Sequence, residues 1–167
     1  DNGELVTSFT LSTDIRSGNS SGDRAADGWA VSLARGSDPF LASRNNGDLA
    51  AGLPEAGTTT GIAISFDTWA GNALPDGDDI EGIIVRVDNV TVGRFALPTR
   101  HGECDDATSL QTGPRDLEFW TDPAPTNEQR QSPDAWATLC WQPLVVEVNE
   151  LSQVTVRRNG EVLLDKF

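Results

Sequence analysis

The stretch GIAISFDTW, residues 61–69, is the clearest indication of the fold in this chain of 167 residues. It is filled by isoleucine, phenylalanine and tryptophan, which favour extended backbone, and Gly61 stands at its start. The segment that follows Trp69 is rich in glycine, asparagine and aspartate, which favour turns. We therefore interpret residues 61–69 as a β-strand.

Similar runs lie on both sides of this stretch and are separated by turn-forming residues. They cover residues 5–15, 29–33, 83–87, 90–96, 144–148, 151–157 and 161–164. Asp88-Asn89 and Asn159-Gly160 each stand between two runs and are typical of β-hairpin turns. No convincing helix pattern appears. About eight strands with turns between them predict an all-β fold built as a two-sheet antiparallel β-sandwich.

Length and charge limit the class of protein. Residues 1–167 fit a single domain. Lys and Arg number 12 against 26 Asp and Glu, which gives a net charge of −14, and such a surface repels nucleic-acid phosphates. No apolar run approaches the ~20 residues that cross a bilayer, so we expect no membrane insertion. The chain ends at Phe167, soon after its last predicted strand, and we expect a further strand to come from elsewhere or to be missing from this fragment.

The two cysteines, Cys104 and Cys140, allow two interpretations. A disulfide between them would tie down a polar, proline-rich segment and stabilise the fold by about 3–4 kcal/mol. It would also indicate a secreted or cell-surface protein. The alternative is two buried free thiols. A zinc site is poorly supported, because there is no CxxC pair and only one histidine, His101.

Three stretches, in this order, resemble the legume-type (L-type) lectins of the concanavalin A-like superfamily, and bacterial extracellular lectin-like domains most closely. Residues 8–12 (SFTLS) and 26–33 (ADGWAVSL) are similar to the family's first strand and its Ala-Asp-Gly segment. Residues 51–53 (AGL) resemble its Gly-Leu segment. Residues 64–69 (ISFDTW), an Asn/Asp-rich loop and residues 81–83 (EGI) resemble its metal loop. The resemblance implies a jelly-roll, concanavalin A-like sandwich.

The resemblance also implies a carbohydrate site. Asp27 would accept hydrogen bonds from sugar hydroxyls, Gly52 would offer its backbone N–H, and Asn72 its side-chain amide. An aromatic ring on which the sugar stacks is expected as well. The candidates for that ring are Trp69, Trp120 and Trp136. The alternative for Trp69, and for Trp29, is a place in the core.

Calcium is the cofactor that the resemblance implies. Its ligands would be the Asp67 carboxylate, the Trp69 backbone carbonyl, the Asn72 amide, and one carboxylate from Asp76, Asp78 and Asp79. These are the oxygen donors that calcium prefers. The family's second metal site, for a transition metal, should be absent, since Ser65 and Ile80 replace its ligands. The alternative for the loop is an ordinary solvated turn.

Catalysis is not expected. Glycoside hydrolases of this superfamily place paired carboxylates on one strand. Glu147 lies in the predicted strand at 144–148, but the residue two positions later, Asn149, is not acidic. The sequence therefore predicts a non-catalytic, lectin-like module that binds a glycan or polysaccharide, with calcium as an open question. The alternative is a structural or adhesion module that contacts other segments of a larger extracellular protein and has no sugar site.

Overall fold

The computed structural model describes residues 6–17, 28–41, 55–70, 80–99, 108–111 and 141–167, which are nearly all β. Apart from a helical turn at residues 39–41, the regular elements in these ranges are strands. They are β1 (Phe9–Ile15), β2 (Gly28–Leu33), β3 (Ile62–Asp67), β4 (Gly82–Val87), β5 (Val90–Ala96), β6 (Gln142–Val148), β7 (Val154–Arg158) and β8 (Glu161–Leu164).

The strands form two four-stranded antiparallel sheets, with the orders β1-β6-β7-β8 and β2-β3-β4-β5. The chain divides into two compact units, each containing one sheet. Unit 1 comprises residues 1–21, 101–107 and 112–167, and unit 2 comprises residues 22–100 and 108–111. The predicted all-β class is confirmed, and two antiparallel sheets are the components of a β-sandwich. The jelly-roll connectivity and the single domain over residues 1–167 stay predictions.

The sheet of unit 1 has one buried and one more polar face, because side chains alternate along each strand. Leu144, Val146, Val154 and Val156 are buried on the first face, together with Arg158, which pairs with Leu144. On the polar face Glu147 accepts a hydrogen bond from Arg157 of the neighbouring strand. This alternation gives the sheet a core side and a side that offers polar groups.

The sheet of unit 2 is covered on both faces at its centre. Ile64, Phe66, Ile83 and Val85 are buried on one face. On the other face, positions 63, 65, 67, 84 and 86 are buried as well, although they include Ser65, Asp67 and Arg86. Strands buried on both sides read as continuous apolar runs rather than alternating ones. This explains why residues 61–69 and 83–87 were the easiest strands to recognise.

Both predicted hairpins are confirmed. Asp88 and Asn89 have φ values of 45° and 64°, and Asn159 and Gly160 have 50° and 81°. Positive φ at both central residues defines the type I′ turn, whose twist matches that of the strands it joins.

Candidate functional site

The end of β3 brings together two of the motifs that the sequence analysis singled out. Asp67, the last residue of β3, pairs with Gly28 of β2 on one side and with Gly82 of β4 on the other. Gly28 and Gly82 have φ values of 131° and 157°. An added Cβ at Gly28 would lie 2.3 Å from the backbone oxygen of Phe66, so this position requires glycine. Gly28, which directly follows Asp27 in sequence, is thereby held beside the predicted calcium ligand Asp67.

Asp67 is buried, with 1% of its surface exposed. Its Oδ1 accepts a hydrogen bond of 3.0 Å from the backbone N–H of Trp69. This bond fixes the direction in which the chain leaves the strand. A carboxylate that accepts from a residue two positions ahead is also typical of an ordinary turn. Both interpretations of the loop, calcium site and solvated turn, therefore stay open.

The two tryptophans with alternative roles differ in their surroundings. Trp29 is half-buried and stacks on Phe66, with ring centroids 4.0 Å apart and an angle of 10° between the planes. Trp69 is 45% exposed at the end of β3. Its exposure excludes the core alternative for Trp69, whereas Trp29 packs on Phe66.

Most of the predicted site residues lie outside the described residues. For the carbohydrate site these are Asp27, Gly52 and Asn72; for calcium, Asn72, Asp76, Asp78 and Asp79; for the disulfide, Cys104 and Cys140. Asp67 and Trp69 are the predicted site residues that fall inside the described ranges.

Two of the predicted calcium ligands, Asp67 and Trp69, are described, and they lie at and just after the end of β3. The hydrogen bond between them runs from the Trp69 N–H to the Asp67 carboxylate. Glu81, which follows the Asn/Asp-rich loop in sequence, accepts a hydrogen bond from the backbone N–H of Thr99 through Oε2. Within the described ranges no group of three or more His, Cys, Asp and Glu residues has a metal-binding arrangement.

A polar layer under residues 55–58 was not predicted. Arg86, 1% exposed, donates from Nη2 to the Ser65 Oγ at 3.0 Å and to the backbone oxygen of Ala56. Glu55 is buried in the same loop, and its Cβ would lie 3.2 Å from a Cβ added at Gly28. The arginine within the apolar run IIVRV was the sequence signal for this layer, because a buried guanidinium requires acceptors.

Asp38 joins two segments that are distant in sequence. Its Oδ2 accepts hydrogen bonds from the backbone N–H and the hydroxyl of both Thr59 and Thr60, at 2.7–3.1 Å. Its Oδ1 accepts from the backbone N–H of Phe40 at 2.9 Å. Burial acts to raise the pKa of Asp38, but the hydrogen bonds from Thr60, Phe40 and Thr59 outweigh it and hold the pKa below its ordinary value. Nothing local in the sequence indicated this contact.

Two pockets lie wholly among described residues. One, of about 380 Å³, lies beside β2 in unit 2 and is lined by apolar and hydroxyl-bearing residues, among them Ala30, Phe40, Ser32 and Thr58. The other, of about 500 Å³, lies on the polar face of the unit 1 sheet and includes Thr10, Glu147, Arg157 and Lys166. The first is close in sequence to the Ala-Asp-Gly segment, since β2 begins at Gly28.

Comparison with known proteins adds no family. No family model, curated protein or solved structure matches the chain. The described residues contain no helix with the length and apolar character that spanning a membrane would require.

Proposed function

We propose that this protein is a secreted or cell-surface, non-catalytic carbohydrate-binding module of lectin-like type. Its glycan or polysaccharide ligand would bind at the loops that carry Asp27, Gly52 and Asn72, with Trp69 as the ring on which a sugar stacks. The observation that carries the proposal is the pairing of Gly28 with Asp67. Gly28 and Asp67 are 39 positions apart in sequence, so two distant motifs meet at one end of one sheet.

The chemistry of binding follows from these groups. A carboxylate at Asp27 accepts hydrogen bonds from two neighbouring sugar hydroxyls, and charge-assisted bonds of this kind are stronger than neutral ones. The apolar C–H face of a sugar ring can pack on the exposed ring of Trp69, which removes apolar surface from water. Calcium, when bound, would cross-link the loop to the strand end at Asp67. The hydrogen bond from Trp69 to Asp67 holds the tryptophan next to that strand end.

A glycan array tests the carbohydrate proposal. The intact chain should bind one class of glycan, and Asp27→Asn should abolish that binding without changing the melting temperature. Asp14→Asn is the matched control, because Asp14 is an exposed aspartate on β1 in the other unit. Unchanged affinity in Asp27→Asn would remove Asp27 from the site, and an array without any ligand would contradict the carbohydrate function itself.

A thermal melt in excess EDTA and in millimolar calcium tests the cofactor separately. A ligand that binds only the folded state at 100 times its Kd stabilises it by about 2.7 kcal/mol, so a tight calcium site must raise the melting temperature. Asp67→Asn should lose this rise while it keeps an oxygen that accepts from Trp69. Asp38→Asn, another buried aspartate, should retain the rise. Identical melts with and without calcium would leave a metal-free module.

A second candidate is a structural or adhesion module that contacts another segment of a larger extracellular protein. It is favoured by an apolar row at one end of the unit 2 sheet, where Leu33, Ile62, Val87 and Val90 are cross-strand neighbours. Three of them are exposed, Val90 most of all at 63%. Sedimentation of the purified chain tests this candidate. A stable monomer that binds glycans would argue against it, and self-association abolished by Val90→Asp would support it.

A further inference from the structure

The turn between β7 and β8 has an asparagine followed by a glycine at its tip. Asn159 and Gly160 are the two central residues of this type I′ turn, with φ values of 50° and 81°. Both residues are exposed, and a Cβ added at Gly160 would have open space around it. The backbone nitrogen of Gly160 therefore has no side chain beside it that would hinder a reaction with the preceding residue.

An asparagine side chain can react with the backbone of the glycine that follows it. The Gly160 nitrogen loses its proton to solvent and attacks Asn159 Cγ, so that the N–Cγ bond forms, the Cγ–Nδ2 bond breaks and the amide leaves as ammonia. Water then opens the succinimide ring at one of its two carbonyls, which gives either aspartate or isoaspartate. One water is consumed and one ammonia is released in total, and the reaction needs no other reactant.

The folded turn keeps the two reacting atoms apart. The first central residue of a type I′ turn has a ψ of about +30°, which places the Gly160 nitrogen nearly anti to the Cβ of Asn159. Ring closure requires the nitrogen and the Cβ on the same side of the Cα–C bond. The backbone N–H of Asn159 also donates to the Pro143 oxygen of β6 at 2.8 Å, which holds the turn in this conformation. The reaction therefore requires the turn to open.

β8 has the properties of a strand that opens locally. It has four residues and lies at the edge of its sheet, where β7 is its neighbour among the described strands. A shift of register between Val156 and Arg157 interrupts the pairing of these two strands. Glu161 and Val162 are exposed, whereas Leu164 is buried. Short edge elements with few buried contacts open at a lower free energy than core strands.

We propose that Asn159 is a site of spontaneous deamidation, and that opening of the β7–β8 hairpin controls the rate. In the isoaspartate product the main chain runs through Cβ and gains one carbon atom. A two-residue type I′ turn then no longer fits the register in which Arg158 pairs with Glu161, so β8 is released from β7 as the protein ages. The site lies in unit 1 and does not depend on the proposed glycan site.

Two other asparagines in the described part of the chain are internal controls. Asn89 also has a positive φ in a turn, but it is followed by Val90, whose branched side chain hinders attack by the backbone nitrogen. The side chain of Asn149 donates to Gln153 Oε1 and accepts from two backbone N–H groups, so its amide is held in place. We expect Asn159 to be converted well before either of these residues.

Peptide mapping by mass spectrometry, after incubation at mildly alkaline pH, measures the conversion. Cleavage after glutamate at mildly acidic pH isolates Asn159 in residues 151–161 and Asn89 in residues 82–103. The Asn-Gly pairs at 2–3 and 46–47, which lie outside the described residues, fall in other peptides. We expect Asn159 to react at least about tenfold more slowly in the folded protein than in urea, which corresponds to an opening free energy of about 1.4 kcal/mol or more.

Two variants of β8 test the role of opening. Leu164→Ala removes a buried side chain and should raise the rate in the folded protein severalfold, whereas Val162→Ala, at a position that is 51% exposed, is the matched control and should not. In hydrogen exchange, the β8 amides should lose protection in the isoaspartate form.

Three results would overturn the proposal: no conversion of Asn159 in urea, equal rates in the folded and unfolded chain, or conversion of Asn89 as fast as that of Asn159. Isoaspartate protein whose β8 amides stay protected would overturn the release of β8. If Leu164→Ala does not fold, the comparison with urea decides the role of opening.

Discussion

Among single residues, Asp38 shows how a buried carboxylate can order a loop without a covalent link. It has no exposed surface, and the donors around it come from positions 40, 59 and 60. A carboxylate stripped of water is costly unless its oxygens are hydrogen-bonded, and here several donors replace the lost water. The stability of this part of unit 2 therefore depends on the ionised form of one side chain.

Replacement of this carboxylate should destabilise the protein in a pH-dependent way. We expect Asp38→Asn to lower the free energy of unfolding by about 1–3 kcal/mol near neutral pH, because charge-assisted hydrogen bonds are lost. The folded-state pKa of Asp38 lies below the ordinary value of 3.8. Its contribution is therefore fully present above that ordinary value and is lost as the pH falls through the folded-state pKa. Urea unfolding of both proteins across pH measures this, and a constant difference down to low pH would contradict it.

Gly28 is a second residue whose identity is fixed by its surroundings. We expect Gly28→Ala to cost about 2–4 kcal/mol, since the new Cβ would meet the Phe66 oxygen and the backbone has positive φ. Gly36→Ala is the control, because no atom lies within 4 Å of a Cβ added there, and it should stay within about 0.5 kcal/mol of the parent. Urea denaturation compares the two variants, and similar stabilities would contradict the close packing.

Among the strands, the hairpin between β4 and β5 has a turn that is not optimal for its shape. Asn89 has a φ of 64°, which glycine adopts without steric cost. We expect Asn89→Gly to raise the free energy of unfolding by up to about 1 kcal/mol, because Asp-Gly is a preferred pair in type I′ turns and the strain of positive φ is relieved. Asn149→Gly is the contrasting variant: the Asn149 side chain bonds to Leu151 and Gln153, so its loss should destabilise. The denaturation midpoints of the two variants measure these effects, and equal changes in stability at both asparagines would contradict the prediction.

The approximate positions of the strands could be predicted, because they depend on the local pattern of residue types. The ends of the strands could not, because they depend on hydrogen bonds and strand pairing. The run at 151–157 becomes a strand only from Val154, because the Asn149 Oδ1 accepts from the N–H groups of Leu151 and Gln153 and holds the chain in a turn. In the predicted run at 5–15, residues 6–8 lie outside the strand, which begins at Phe9 opposite Val148, the last residue of β6. Neither limit is visible in residue types alone.

The candidate site was predictable only in its motifs. The Asp67 and Trp69 pair could be found because its members are neighbours in a recognisable pattern. The pocket beside β2 could not be found, because Ser32, Phe40 and Thr58 meet through long-range contacts. Asp38 and Glu55 likewise gave no local signal of burial.

For the whole molecule, the dominant property is its charge of −14. Like charges repel more in the compact state than in the unfolded chain, and salt screens this repulsion over a Debye length of roughly 30 Å at 0.01 M and 3 Å at 1 M. We expect the melting temperature to rise by several degrees between these concentrations of sodium chloride, measured in EDTA so that calcium plays no part. A fall would instead mean that ion pairs such as Glu147–Arg157 dominate.

The strand order of the unit 1 sheet, in which β1 pairs with the distant β6, also affects the order in which the strands assemble. β6, β7 and β8 are joined by short turns, whereas β1 reaches its place only when Ile15 meets Gln142. Closing so long a loop is entropically costly, and contacts distant in sequence form slowly. During synthesis on the ribosome, β1 emerges before β6 and cannot pair until β6 has been synthesised. In pulse-labelled hydrogen exchange during refolding, the amides of β1 should therefore gain protection after those of β6 to β8.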